Sequence, residues 1–268
     1  YLSKELKKKI KNSSIYSLEN FSYNKLKNQK YNLIINSFYS SMMLKKIKNY
    51  QTFYQKSLYE LSEFLDKFPK KKIKKIIYTS SSSIYNSLNE YDTDDSRNRS
   101  IYSSAKFAAE NLITNFSKQN KIDFCITRVF NIFGENEKFS VISKILDSYK
   151  NKKKKLILFN KGNSVRDFIH VREVVNFYQN IIDNSTDDKI DIGTGFGYRI
   201  IDIIKTLGEQ NFNLKKVNGQ ESNFSIAFNE NLKLRSDLTL EKFLIKKLRL
   251  KKNIKLNKLY NYKKNVLH

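Results

Sequence analysis

The sequence predicts an α/β fold: a parallel sheet flanked by helices, followed by a smaller C-terminal lobe. Short β-rich apolar runs, at 76–78 and 124–130, alternate with helix-patterned segments. Those runs end in polar residues, four serines at 80–83 and Asn131. At 268 residues the chain can bury a substantial core, as one large or two modest domains.

Taken in order, Leu2, Leu6 and Ile10 recur at spacing four among lysines, which reads as helix. The segment 14–20 reads as a short strand ending in an acid, and YNLIINS (31–37) as the next strand. Residues 51–68 form a long amphipathic helix with Phe53, Leu58, Leu61, Phe64 and Leu65 on or near one face. Pro69 stands where such a helix should stop. After the strand at 76–78 and its serines, residues 89–100 read as an acidic, polar loop. A helix then opens at Tyr102, and the strand 124–130 follows it. Further on, 141–149 reads as helix, 156–159 as strand and 162–164 as a turn. Arg166 leads into a strand end running into a helix. The late DIGTGFGYRI reads as a strand and turn, and 234–250 as a terminal helix.

The chemistry sits in the order strand, serine, Tyr102-x-x-x-Lys106, strand, Asn131. On a helix the tyrosine and lysine share a face, about 5–6 Å apart at Cβ. An ammonium at that distance favours the phenolate, making a base that can take a proton from an alcohol near neutral pH. A serine at the adjoining strand end can hydrogen-bond the same substrate oxygen. Such a set suits hydride transfer, in which O–H loses a proton as C–H loses a hydride. Spacing alone is unselective, because Tyr23/Lys27, Tyr149/Lys153 and Tyr260/Lys264 share it. Only Tyr102/Lys106 has the strand-end serines before it and the strand asparagine after it.

These blocks, IIYTSSSSIY, YSSAKFAAENL and RVFNIFG with GNSVRDFIHVREVV, resemble the extended short-chain dehydrogenase/reductase family. Its members include the NAD-dependent epimerases and dehydratases of nucleotide-sugars. The resemblance implies a Rossmann-like dinucleotide-binding domain over 1–134 and a substrate-binding lobe over 135–268, with 166–185 packing back on the first. It implies Ser81, Tyr102 and Lys106 as the catalytic set, Tyr102 and Lys106 also holding the nicotinamide ribose. Asn131 and Arg166 match positions that contact the sugar nucleotide, Phe159 one that lies against its base, and Arg235 one that reaches its diphosphate. Glu19 matches the acid that binds the adenosine ribose and favours NAD over NADP. Ser37, Phe38 and Tyr39 follow the next strand and would line the cofactor. Homodimers through helices equivalent to 51–68 are a further implication.

The chain also departs from the family. The glycine-rich turn that cradles the pyrophosphate is missing, which points to a fragment starting just after it or to a variant without dinucleotide binding. Only about a dozen residues separate Glu19 from the next strand, so the usual third strand is shortened or absent. Ser82 and Ser83 stand where dehydratases carry an acid pair, which disfavours dehydration. The leading expectation is a 4-epimerase acting on a nucleotide-diphosphate sugar through a transient 4-keto sugar. Alternatives are an NAD(P)H-dependent reductase of a 4-keto-6-deoxy nucleotide-sugar and a non-catalytic nucleotide-binding relative.

Composition narrows the rest. The +25 net charge invites nucleic acid, but the lysine runs are scattered and surrounded by no nucleic-acid motif, so they read as solvated surface. No apolar run reaches the ~18 residues of a membrane span and no signal-peptide pattern is present, so a cytoplasmic setting is expected. The single Cys125 reads as core packing and His170, without a His/Cys cluster, as structural; no metal site is expected.

Overall fold

The computed structural model describes residues 1–17, 20–36, 50–86, 94–184, 188–218, 224–227, 236–251 and 253–260. Glu19, Ser37, Phe38, Tyr39 and Arg235 lie outside them. Two compact units emerge. The N-terminal unit comprises Leu2–Arg128 with Tyr178–Ile190, and the C-terminal unit Tyr1, Val129–Phe177 and Asp191–His268.

Helix α1 (Leu2–Lys9) buries Leu2 and Leu6 and turns its lysines outward. The strand expected at 14–20 does not form over 14–17. Ile15 and Tyr16 stay 45% and 61% exposed, so a strand there would gain no buried face. Phe21 anchors the segment instead, its ring 4.9 Å from Tyr23 and 5.5 Å from Phe64. Strand β1 is Tyr31–Ile35.

The long amphipathic helix is present as three joined parts: α2 (Tyr50–Tyr54), a π-helical turn (Gln55–Tyr59) and α3 (Glu60–Lys67). Leu61 and Leu65 are buried, and the Ser57 hydroxyl donates to the Phe53 carbonyl beside the widened turn.

Strand β2 (Ile73–Ser81) is buried along nearly its whole length, the pattern of a strand covered on both faces. Its buried exception is Lys75, whose Nζ donates to the Ile181 and Asn184 carbonyls, both at 2.7 Å. It thereby satisfies carbonyls at the end of a later helix. A 3-10 turn (Ser82–Asn86) follows, then α4 (Asp94–Gln119). The helix starts within the stretch read as a loop, and its Asp-Asp-Ser opening has the composition a helix N-terminus favours.

Next come β3 (Asp123–Val129), β4 (Asn131–Phe133), α5 (Val141–Lys150), β5 (Lys155–Leu158) and β6 (Val165–His170). They are followed by α6 (Val171–Asp183), β7 (Lys189–Ile192), β8 (Phe196–Arg199) and α7 (Ile200–Leu207). The chain ends with β9 (Asn213–Lys216), β10 (Phe224–Ser225), α8 (Leu240–Leu248) and β11 (Leu259–Tyr260).

The strands β1-β2-β3-β7 form a parallel sheet flanked by helices, as the alternating pattern predicts. In the N-terminal unit, Ile76, Ile113, Ile126 and Leu61 are at the centre of the core. Full burial of such a side chain contributes about 1.5–3 kcal/mol. The C-terminal unit holds a mixed sheet, β10-β6-β8-β11 with β4 on β6, and a separate β5-β9 pair. Its core gathers Phe133, Ile145, Phe168, Ile204 and Leu244. No helix among the described residues is long and apolar enough to cross a membrane.

Candidate active site

The carboxyl end of β2 and the face of α4 carrying Tyr102 form a polar centre in the N-terminal unit. At the end of strand β2 the Ser81 hydroxyl serves the backbone. Ser83 N donates to Ser81 Oγ at 3.2 Å, which opens the turn after the strand. Ser103 Oγ on α4 donates to Ser83 O at 3.0 Å and ties the helix to that turn. The Ser81 hydroxyl also hydrogen-bonds with the Tyr102 phenol.

Tyr102, Lys106 and Glu110 recur at spacing four along α4 and so share a face. Lys106 is 7% exposed, and its Nζ donates to Thr79 O at 2.7 Å and Asn36 O at 3.5 Å, carbonyls following β1 and ending β2. The ammonium lies 4.9 Å from the ring centre of Tyr78 and 5.9 Å from that of Tyr102, within cation–π range. The structure thus brings Ser81, Tyr102 and Lys106 together.

Their electrostatics differ from the expectation of a phenol lowered by the lysine. Burial raises the Tyr102 phenol above its usual value, and the Ser81 hydrogen bond opposes that rise. Burial lowers the Lys106 ammonium to about 8, and the Glu110 carboxylate opposes that fall. The ammonium itself titrates at about 8, below the raised phenol, so its charge is gone before the phenol ionises.

Glu110 is 2% exposed and takes a two-pronged bond from Arg128 on β3, Nε to Oε1 at 2.9 Å and Nη2 to Oε2 at 2.7 Å. Lys189 Nζ is 3.8 Å from the same carboxylate. The guanidinium also lies 4.8 Å from the ring centre of Tyr85, in the turn after Ser81. Sequence reasoning missed this pair. Its signal was an acid on the buried face of a helix and an arginine inside the apolar strand FCITRVF.

The other expected residues belong to the C-terminal unit. Asn131 opens β4 and its Nδ2 donates to Asp167 O at 3.1 Å. Arg166 on β6 donates from Nη1 to Val165 O at 2.9 Å. Phe159 is 61% exposed, in a turn where Asn160, Lys161 and Gly162 have φ of 48°, 51° and 84°. That turn is pinned by Lys161 N to Val217 O and Val217 N to Leu158 O, both 3.0 Å. A side chain at Gly162 would also press on Ile201, 3.0 Å away, so glycine suits both the angle and the approach.

Next to Arg166 on β6 stands a second buried acid that the sequence reading passed over, Asp167, whose backbone carbonyl is the acceptor of Asn131. The Asp167 carboxylate accepts from Thr194 N, Thr194 Oγ1, Gly195 N and Ala227 N at 2.6–3.1 Å. Burial pushes it up to about 6 against those hydrogen bonds. His170 is buried edge-on to Phe133 and Phe243, with Nε2 3.3 Å from Glu135, and burial lowers its pKa. No metal-ligating cluster occurs among the described residues.

Residues 22–193 match the model of the NAD dependent epimerase/dehydratase family. The chain is similar to the dTDP-D-glucose 4,6-dehydratase of Dictyostelium discoideum, 28% identical over 51% of this chain and 35% of that protein. It is also similar to the ADP-L-glycero-D-manno-heptose-6-epimerase of Brachyspira hyodysenteriae, 28% identical over 52% of this chain and 47% of that one. The chain thus spans less than half the length of these relatives. In fold it is similar to the UDP-N-acetylglucosamine 4-epimerase of Methanobrevibacter ruminantium M1, solved with UDP-N-acetylmuramic acid. That likeness has a TM-score of 0.64 at 21% identity, covering 80% of this chain and 72% of the other.

Proposed function

The chain belongs to the NAD-dependent epimerase/dehydratase family, and from that premise we propose that it is a nucleotide-sugar 4-epimerase working through a transient 4-keto sugar. The observation that carries the proposal is the Ser81–Tyr102–Lys106 set at the carboxyl end of β2.

The residues present fit a hydroxyl-rich ligand such as NAD. Ser80 Oγ and Ser83 Oγ, beside Ser81, are buried without a partner among the described residues. Leaving such a group unbonded costs about 1–3 kcal/mol, so a ligand that supplies a partner gains that much. Lys106 and Tyr102 would hold the nicotinamide ribose through their ammonium and phenol. When bound, NAD supplies hydride acceptance from the sugar and hydride return.

Tyr102 would take the proton of the sugar 4-hydroxyl while C4–H leaves as hydride and the C4–O bond becomes a carbonyl. Ser81 would donate its hydroxyl proton to the same sugar oxygen. After the keto sugar turns over, Tyr102 would return the proton. Asn131 and Arg166 would hold the sugar nucleotide, Arg166 on the diphosphate, and exposed Phe159 would lie against the base. The Tyr102/Lys106 pair loses its first proton as pH rises through about 8. The singly protonated pair includes the form with phenolate and ammonium together, so turnover should rise through that pH.

Ser82 and Ser83 in place of an acid pair weigh against dehydration. The reductase reading uses the same three residues and differs in consuming one coenzyme per turnover. Pairing of two chains is part of the proposal, supported by the exposed rings of Tyr59 and Phe107 and tested by light scattering of the purified protein. A cytoplasmic setting belongs to it too, in keeping with a single, buried cysteine, Cys125.

The test is Tyr102→Phe assayed with nucleotide-diphosphate sugars and NAD. Turnover should fall by about 10²–10⁴-fold while sugar-nucleotide binding by calorimetry is unchanged. Retained turnover would sink the proposal, and stoichiometric coenzyme oxidation by the parent would replace it with the reductase.

A further inference from the structure

Lys106 is buried, and among the described residues no anion bonds its ammonium. Two carbonyls bond it, from Thr79 and Asn36, and the rings of Tyr78 and Tyr102 flank it. Both phenols are themselves raised by burial and stay neutral, so neither supplies an anion. The carboxylate that acts on Lys106 is Glu110, one helical turn further along α4.

Glu110 does not bond the lysine. Both of its oxygens are committed to Arg128, and Lys189 approaches one of them at 3.8 Å. A buried acid and arginine of this kind cost several kcal/mol each to desolvate, and apolar residues could fill the same space. The pair also has a geometric reach. Arg128 stands on β3, its guanidinium lies over Tyr85 in the turn after Ser81, and its partner acid stands on the helix of Tyr102 and Lys106.

We propose that Glu110 is a positioning residue for Lys106: its carboxylate keeps the buried ammonium charged, and Arg128 fixes that carboxylate while tying α4 to the turn that follows Ser81. Arg128 and Lys189 offset part of the acid's charge, so the field reaching Lys106 is set by the balance of the three. This inference rests on the reading of Lys106 as part of the catalytic set.

The test reads the lysine directly and needs no turnover. In protein labelled with [ε-¹³C]lysine, the Lys106 signal, identified by its loss in Lys106→Arg, should titrate near pH 8. In Glu110→Gln, whose amide keeps the size of the acid, the midpoint should fall by about one pH unit. A merely structural role would lower the melting temperature and leave that midpoint in place. In Lys189→Met, a change at a half-exposed residue, the midpoint should instead rise by a few tenths, about the size expected of a partly screened charge. An unchanged midpoint in folded Glu110→Gln overturns the inference. If that variant does not fold, an unchanged midpoint in Lys189→Met overturns it. A shifted midpoint in a protein that turns over no sugar nucleotide keeps the inference and removes the catalytic reading.

Discussion

Glu110 and Asp167 are all but removed from solvent, one in each unit, and their charges are balanced by different means. Glu110 meets a guanidinium along both oxygens, with a lysine behind it. Asp167 meets neutral donors, three backbone N–H groups and the Thr194 hydroxyl. Neutral dipoles offset desolvation less completely than a full charge does, and Asp167 accordingly stands near 6. The difference assigns them different work. An acid balanced by a cation can remain charged and act on a neighbour one turn away. An acid held by dipoles pins backbone, here the turn at Thr194–Gly195 and the chain at Ala227, and sits close to taking a proton.

The comparison breaks most sharply at Arg128. Arg128→Ala removes the guanidinium that bonds both oxygens of buried Glu110, and should cost about 3–5 kcal/mol in urea unfolding. Replacing Glu110 and Arg128 together by methionine should restore most of that loss, since two desolvated charges disappear at once. The Lys106 midpoint should stay low in the double variant, which separates stability from tuning. A small cost for Arg128→Ala alone would mean that water already reaches the acid.

Asp167→Asn is the milder counterpart. The amide keeps one acceptor and turns an NH₂ toward donors, at a cost of about 1–3 kcal/mol at pH 7. The pH dependence carries a definite sign. The folded carboxyl, at about 6, lies above its ordinary 3.8, so the folded state binds the proton more tightly. Parent stability from this group therefore grows as pH falls from 6 toward 3.8, by up to about 3 kcal/mol. The asparagine variant has no such gain, so the gap between the two should widen from pH 7 to pH 5. A gap that narrows would show that hydrogen bonding outweighs desolvation at Asp167.

The same contrast marks what could be read before the fold was known. The α/β class and the family were legible because β2, β3 and the amphipathic helix at 50–67 declare themselves by period, and because three motif blocks coincide. Ser81, Tyr102 and Lys106 could be named together because the motif blocks that carry them resemble the family's, while spacing alone was unselective. The segment at 14–17 misled, since its β-rich composition finds no partner strand to bury against. The start of α4 at Asp94 was hidden because a polar stretch reads alike as loop and as helix start. Glu110 and Asp167 were harder still. Their meaning lies in partners 18 and 27 residues away along the chain, and pairing across strands leaves no periodic trace.

The finest test of the comparison is Thr194→Val. Valine is close to threonine in shape but lacks its hydroxyl, so the change removes two bonds and little volume. One is the hydroxyl's donation to Asp167 at 2.6 Å, the other its acceptance from Phe196 N at 3.1 Å. Three backbone donors to the acid remain, so the loss of stability should be about 1 kcal/mol at pH 7. The informative readout is the acid itself. A hydroxyl donating to a carboxylate favours its charged form, so removing it should move the Asp167 midpoint above about 6, as followed by the ¹³C signal of its carboxyl carbon. The onset of the parent's low-pH gain should move up with it. If the midpoint holds still while stability falls, the backbone donors alone govern the acid, and the threonine serves only its own turn.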